Sequence, residues 1–252
     1  MQTDALLDAA QASPTAHYRC RLADRGADLR AAQALRFEVF NLELNEGLVA
    51  SYDSGLDVDP YDAVCDHLVV EDATTGSIVG TYRMQTGARA RAGIGYYAER
   101  EFDFSPFEPM RSRMLELGRA CIHRGHRRYE VLNLLWKGIA DYAQAQGARY
   151  LVGCSSLTSQ DPAVGAAAFA ALSPHLAQPA WRTTPTPAYA CALGSVAFPC
   201  PKIPRLLAAY LALGAAVCGP PAIDREFGTI DFLTWYDLGG AGPAPRRRTR
   251  RP

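Results

Sequence analysis

The order in which apolar patterns follow one another constrains this chain most. HYRCRLA, from His17, reads as a strand, after which Leu29, Ala32, Leu35, Val39 and Leu42 recur at helical spacing. CDHLVVED and SIVGTYRMQ are two apolar, β-branched runs joined by Ala-Thr-Thr-Gly, a hairpin in which Gly76 supplies the turn. MLELGRACI is a further strand. HRGHRRYEV then leads into a helix through Leu132, Leu135, Trp136, Ile139 and Tyr142, closed by Gly147. ARYLVGCSS is again a strand, Asp161 with Pro162 opens another helix, IPRLLAAYLALGA is a short helix and GTIDFLTWYDL a final strand. Such an α/β order fits a mixed, twisted sheet with helices on both faces. Taken alone, it describes an α/β enzyme or a ligand-binding domain.

With 252 residues, 48% of them hydrophobic, the chain is long enough for one large domain, expected over residues 17–238. Residues 1–16, rich in Ala, Gln and Ser, read as loosely ordered, and 239–252 as a disordered, arginine-rich tail. Five of the 26 basic residues lie in that tail, which leaves 21 against 26 acidic residues in the rest of the chain. A mildly acidic body argues against a nucleic-acid partner. Seven cysteines, an odd number with no CxxC spacing, read as reduced, buried thiols and give no zinc site. MQTDALLDAA lacks the basic start and apolar run of a secretory signal, and the apolar stretch Leu206 to Cys218 is shorter than the ~20 residues of a membrane span. The expected location is cytoplasmic, with peripheral contact at the inner membrane left open.

Chemistry concentrates in LELGRACIHRGHRRYEVLNLLWKG, from Leu115. A strand carrying Glu116 and Arg119 runs into a turn with His123, Arg124, His126, Arg127 and Arg128, where a long helix begins. Unpaired N–H groups and the positive dipole end make such a helix start an anion site, and flanking arginines add charge-assisted bonds to phosphate. The bland alternative is a solvated basic surface. No acid or cysteine at ligand spacing joins the histidines, so no metal is expected. The second constellation is Asp57, Asp59 and Asp62, followed by Asp66. Such a loop can form Asx-type turns, hold an amine-bearing substrate, or pair internally with Arg36, Arg83 or Arg119. A calcium loop would need a glycine and a terminal glutamate that are absent.

The segments LRFEVF, DVDPYDAVCDHLVV, GTYR, ELGRACIH, NLLWKGIADYA, YLVGCSSL and PPAIDREFGTIDF follow one order between Tyr18 and Asp237. Together they resemble the bacterial L-ornithine N-alpha-acyltransferases, a hemolysin-like branch of the GNAT superfamily that begins ornithine-lipid synthesis. The chain is also similar to the acyl-homoserine-lactone synthases. Their Arg-x-x-x-Phe element matches Arg36 and Phe40, their acidic pair Asp59 and Asp62, their sheet arginine Arg83, and their Glu-x-x-Arg element Glu116 and Arg119. Six residues beyond Phe40 those synthases carry a tryptophan where this chain has Glu46, which leaves room for a cationic acceptor.

The resemblance implies a single-domain GNAT-like α/β acyltransferase fold. It implies transfer of a fatty acyl group, 3-hydroxylated or plain, from the phosphopantetheine thioester of acyl carrier protein to the alpha-amino group of ornithine or a similar amino acid, giving a lyso-aminolipid. A lactone synthase or another small-molecule acetyltransferase is the alternative. Acyl carrier protein is then partner and donor substrate, and no bound cofactor is required. Met114 to Ile122 and Arg149 to Ser155 should be neighbouring strands that splay around the pantetheine arm. Glu116 is the expected base, held by Arg119, with Asp59 and Asp62 in the active site; the competing reading makes Glu116 and Arg119 a structural salt bridge with those aspartates. Arg124, His126, Arg127 and Arg128 are expected to bind the donor. Arg36, Phe40, Glu46 and Arg83 frame the acceptor, with Asp57, Asp59, Asp62 and Glu46 facing its amines and Arg83 its carboxylate. Leu206, Leu207, Tyr210 and Leu211 either line the acyl slot or are core. No activator stands beside Cys121 or Cys154 to make either a nucleophile.

Overall fold

The computed structural model of the chain describes residues 17–24, 26–194 and 201–240. The expectations for residues 1–16 and for the tail from 241 onward lie outside them. One sheet comprises β1 (Tyr18–Leu22), β2 (Asp66–Asp72), β3 (Ile78–Thr86), β4 (Met114–Ile122), β5 (Tyr150–Leu157), β6 (Ala216–Val217), β7 (Ala222–Asp224) and β8 (Thr229–Asp237). Its spatial order is β1-β2-β3-β4-β5-β8-β6, with β7 also on β8. The expected hairpin forms between β2 and β3, with Leu68 opposite Tyr82. Gly76 takes φ +71° at its turn, a left-handed conformation in which a side chain would be strained. The short β6 and β7 escape a pattern reading because two or three residues show no period.

The helices are α1 (Ala27–Phe37), α2 (Ser51–Ser54), α3 (Gly87–Ala92), α4 (Tyr129–Ala145), α5 (Pro162–Leu172) and α6 (Arg205–Leu213). α1 runs on as a π-helical stretch, Glu38–Glu43, that carries the chain toward Glu46. The apolar stripe of α4, Val131, Leu135, Ile139 and Tyr142, packs on Leu68, Val70, Tyr82, Met84 and Leu115 of the sheet. Ala168, Leu172 and Leu207 bring α5 and α6 onto Ile223, Ile230 and Phe232. The opposite face meets α1 and its extension through Leu35, Val39 and Phe40, which reach Cys121 and Phe227. There, 3₁₀ turns between Tyr97 and Arg113 lay Phe102, Phe104, Phe107 and Met110 over Tyr150, Val152, Leu233 and Trp235. Each large side chain so buried contributes ~1.5–3 kcal/mol, which fixes this otherwise irregular segment against the sheet.

Two irregularities of β4 shape the interior of the protein. β4 and β5 run parallel, joined by the α4 crossover, and pair only at Met114 with Tyr150, Leu115 with Leu151 and Glu116 with Val152. Beyond Glu116, β4 stays with β3 as far as Ile122 opposite Gly80, while β5 stays with β8 as far as Leu157 opposite Ile230. The strands therefore splay, as the resemblance implies. At the crotch, a Cβ on Gly153 would stand 2.2 Å from the Leu117 carbonyl oxygen, so only glycine permits that approach. Second, the β3–β4 ladder shifts register, with Arg83 opposite Gly118 but Thr81 opposite Cys121. That inserts one residue in β4, and Arg119 takes φ +50°.

Candidate active site

Three aspartates and three arginines close a ring on the α1 face of the sheet. Arg36, at the end of α1, places Nε 2.8 Å from Asp57 Oδ2 and donates from Nη1 and Nη2 to Asp62 at 2.9 and 2.6 Å. Arg83, on β3, donates from Nη1 to Asp59 Oδ1 at 2.5 Å and to Asp62 Oδ1 at 3.2 Å. Arg119, at the bulge, completes the ring, with Nε to Asp57 Oδ2 at 3.2 Å and Nη2 to Asp59 Oδ2 at 2.9 Å. Each carboxylate meets two guanidiniums and each guanidinium two carboxylates. Arg36 and Asp57 are wholly buried. Burial alone would raise the Asp62 pKa, but the Arg36 hydrogen bonds and the charges of Arg36 and Arg83 hold it well below the usual carboxylate range. Asp59 is lowered in the same way by Arg83 and Arg119. Of the three readings the sequence left for this loop, the structure shows internal pairing with Arg36, Arg83 and Arg119, and Asp59 Oδ1 also accepts the Tyr61 N–H in an Asx-type turn. Asp57, Asp59 and Asp62 are thereby turned to the arginines, while Arg83 and Arg119 also line the cavity where β4 and β5 part.

Glu116 is placed differently from either expectation. It neither meets Arg119 nor joins the ring. Its two carboxylate oxygens accept the backbone N–H groups of Tyr97 at 2.9 Å and Ala98 at 2.8 Å, which start the first 3₁₀ turn of the irregular segment. Burial pushes its pKa up to about 7 even against those two bonds. A carboxyl group poised there can take a proton near neutrality. Glu116 also pins Tyr97, whose ring lies 4.9 Å from the Arg119 guanidinium and whose hydroxyl donates to Asp224 at 2.6 Å. The Phe227 ring lies 4.4 Å from the same guanidinium and meets Phe40 edge-on at 5.3 Å. Aromatic faces thus steady the bulged arginine.

A cavity of about 330 Å³ opens where β4 and β5 part. Its lining includes the bulge, Gly118 to Ala120, and the β5 stretch from Leu151 to Ser156. Its polar lining comprises the acids Glu46, Glu116 and Asp231, the ring arginines Arg83 and Arg119, and Thr158, beside Phe40 and Tyr97. Its apolar lining comprises Trp136 of α4, Leu206, Leu207, Tyr210 and Leu213 of α6, and Tyr82 of β3. Leu211, expected with them, does not line the cavity and packs, partly buried, against the cluster that holds Leu207. Thr158 donates to Glu46 at 2.7 Å, yet burial and the nearby Asp231 push Glu46 up to about 7. Asp231 is pushed up to about 6, chiefly by burial. None of these three cavity acids has an ion pair with Lys or Arg among the described residues.

Of the basic residues at the start of α4, Arg124, Arg127 and Arg128 are exposed and none lines the cavity. Arg127 is clasped by both oxygens of Glu43, and His126 Nδ1 lies 2.9 Å from the Tyr18 hydroxyl. Cys121 and Cys154 carry thiols that burial pushes up, so neither is a ready nucleophile. Tyr97, Glu101, Asp224 and Asp231 received no role from the sequence. Asp231 left a signal there, an acid inside the apolar run of β8.

The family model for the acetyltransferase (GNAT) domain matches residues 35–137, from α1 into α4. The L-ornithine N(alpha)-acyltransferase of Rhodobacter capsulatus is 33% identical over 234 residues, 87% of this chain and 90% of that protein. Its namesake from Brucella abortus is 32% identical over 84% of this chain and 82% of that protein. Among solved structures, the AHL synthase LasI aligns with a TM-score of 0.52 at 12% identity, covering 90% of this chain and 92% of that one. The N-acyl amino acid synthase FeeM aligns with a TM-score of 0.52 at 10% identity, covering 90% and 93%. At such identities these two attest the fold alone. Identity of about a third across nearly the whole chain, on a sheet that splits at β4 and β5 over an acid-lined cavity, places this acyltransferase in the L-ornithine N(alpha)-acyltransferase family.

Proposed function

We propose that this chain transfers a fatty acyl group from acyl carrier protein to the alpha-amino group of ornithine, producing the lyso-aminolipid that begins ornithine-lipid synthesis. The cavity carries the reading. It combines an apolar lining suited to an acyl chain with acids suited to an amine-bearing acceptor, and it opens at the strand split. The thioester carbonyl lies at that split. From Leu117 onward the edge of β4 facing β5 lacks a ladder partner, so its backbone N–H groups are available to polarise the carbonyl and stabilise the tetrahedral oxyanion.

An amino acid enters as an ammonium, which cannot attack. Glu116, buried and without an arginine partner, takes that proton directly or through water, and the neutral amine attacks the thioester carbon. Collapse of the tetrahedral adduct expels the pantetheine thiol and leaves an amide. The aspartate–arginine ring takes no part in proton transfer; it holds the bulge and the Asp57–Asp62 loop in place. Exposed Arg124, Arg127 and Arg128 offer the acidic carrier protein a docking surface and its pantetheine phosphate a partner. The enzyme works in the cytoplasm, and its amphiphilic product brings it into peripheral contact with the inner membrane.

Incubation with acyl carrier protein thioesters and a panel of amino acids, read by mass spectrometry, tests the reading. N-acylornithine with an amide linkage is the expected product. A lactone, or acylation of no amino acid from any acyl carrier protein donor, would overturn it.

A further inference from the structure

Two clusters of buried acids in this protein are held in different ways. Those of the ring are each matched by two guanidiniums. Where β5 meets β8, Glu101 and Asp231 have burial of the same depth and no such match. Glu101 is 1% exposed and Asp231 3%. Glu101 Oε1 and Asp231 Oδ1, like Asp57 Oδ1 of the ring, have no hydrogen-bond partner among the described residues. The two acids are hydrogen-bonded to each other and Asp231 to Ser156, and among those residues no guanidinium meets either. Cys154 stands with them. Its Sγ and one oxygen of each acid lie within 4.8 Å of one another, and the thiol contacts Glu101 Oε2 at 3.6 Å. Asp231 and Cys154 line the cavity, and Glu101 closes the group from behind at the end of the 3₁₀ turn that Glu116 anchors.

Two carboxylates so close cannot both stay charged in a dry site without a cation or a shared proton between them. We propose that Glu101 and Asp231 seat the side-chain ammonium of a dibasic acceptor, while Glu116 serves the amine that is acylated. This rests on the reading of the chain as an amino-acid N-acyltransferase and adds the determinant of acceptor choice. An ammonium brings donors that the unmet oxygens Oε1 and Oδ1 lack. Burial, with the negative charges of Asp231 and Asp224, pushes the Glu101 carboxyl well above the usual range. Asp224 is satisfied, receiving the Tyr97 hydroxyl and the backbone N–H groups of Glu226 and Phe227. It adds negative potential without being a second seat. A divalent ion fits less well. Hard cations gather six or more oxygens, softer ones need a thiolate, and burial with the Glu101 charge keeps the Cys154 thiol protonated.

The test compares ornithine with norvaline, which has the same carbon chain and no side-chain amine. A site built to bond a buried polar group rejects an analogue lacking it by several powers of ten. The wild-type enzyme should therefore prefer ornithine by ~100-fold or more in kcat/KM, and Asp231→Asn should cut that preference at least ~tenfold. Glu101→Gln should cut it in the same direction, which covers the case in which Asp231→Asn does not fold. A wild-type preference near unity overturns the proposal without any variant. So does an unchanged preference in a variant that melts cooperatively, or a bound metal, found by elemental analysis, whose removal abolishes activity and whose return restores it. If the wild type acylates neither amino acid with any donor, the acyltransferase reading itself falls; if it acylates ornithine and only the preference test fails, that reading stands and the seat does not.

Discussion

Replacing Arg36 by methionine removes the one fully buried guanidinium of the ring. Asp57 loses its 2.8 Å contact and keeps Arg119, while Asp62 loses bonds of 2.9 and 2.6 Å and keeps Arg83. The six-membered set then carries a net negative charge where side chains are 0 to 7% exposed. Removing one partner of a buried ion pair costs about 3–5 kcal/mol, because the orphaned charge stays desolvated. At ~2–4 °C per kcal/mol for a chain of this size, the melting temperature should fall by ~6–20 °C. Thermal and urea unfolding at pH 7 measure it. Arg36→Lys keeps the charge but loses the fork, and should fall between the parent and Arg36→Met. Restoring neutrality with Arg36→Met/Asp62→Leu should recover ~1 kcal/mol or more relative to additivity. A loss under ~1 kcal/mol for Arg36→Met, or strict additivity in the double variant, would refute the ring as a mutually dependent set and return its members to independent surface-like pairs.

Glu116→Gln keeps an acceptor for the turn at Tyr97 but deletes the base, so kcat should drop ~10²–10⁴-fold; a smaller loss in single-turnover assays would remove Glu116 from proton transfer. In the parent, kcat/KM should rise with pH through about 7 as Glu116 loses its proton, and that limb should vanish in the variant. The same groups set a stability profile: Glu116, from 4.5 to about 7, and Asp231, from 3.8 to about 6, bind protons more tightly folded than unfolded, so stability falls as pH rises across that window. Asp59 and Asp62 are depressed and act oppositely, their contribution present above the unfolded pKa near 3.8 and lost as pH falls through the folded one; denaturant titrations should place the maximum near pH ~4–5. Leu207→Trp fills the apolar arm and should shorten the longest acyl chain accepted, read from product masses. Reversing Arg124 and Arg128 to glutamate should raise KM for the acyl carrier protein donor far more than for the amino acid, and weaken its salt dependence.

The hairpin and the α4 helix were legible in the chain because each rests on a local pattern, a two-residue period closed by a turn glycine and a 3.6-residue period, whereas the split strands were expected only from the family resemblance. The cavity was only half legible. Its apolar lining reads from α6, since Leu206, Leu207 and Tyr210 share a helical face, but nothing in that period separates them from Leu211, which stays off the cavity and packs, partly buried, beside Leu207. The acidic lining was less so, because Glu46, Glu116 and Asp231 come from the irregular stretch beyond the π-helical extension and from two non-adjacent strands. What an acid does is set by the partner that tertiary structure brings to it. The loop aspartates matched a family frame and proved each to be paired with two arginines, while Glu101 lies outside every segment that carries the resemblance and Asp231, inside PPAIDREFGTIDF, is given no role by it.

The Glu-x-x-Arg element shows why the spacing misled. Side chains alternate across a strand, so residues three apart face opposite sides of a sheet, and a regular β4 would send Arg119 toward α4 while Glu116 faced Tyr97. The extra residue between Glu116 and Cys121 reverses the alternation, so that Glu116 and Arg119 emerge on one face, as does Cys121 in the α1 cluster. Ala120 and Ile122 correspondingly turn toward the α4 core. The cost is a non-glycine residue at φ +50°, roughly 1–3 kcal/mol, offset by the Arg119 bonds to Asp57 and Asp59 and by its two aromatic faces. The bulge also ends the approach of β5, since a strand that bends away after Glu116 cannot keep a parallel ladder. One inserted residue thereby couples three features: the opened edge of β4, the cavity behind it, and an arginine ring standing beside Glu116 without bonding it. Had Arg119 reached Glu116, its charge would have pulled the carboxyl down toward the range of Asp62 and left a weak base. Drawing the arginine onto the aspartates keeps Glu116 near neutrality, where it can exchange a proton with an incoming ammonium.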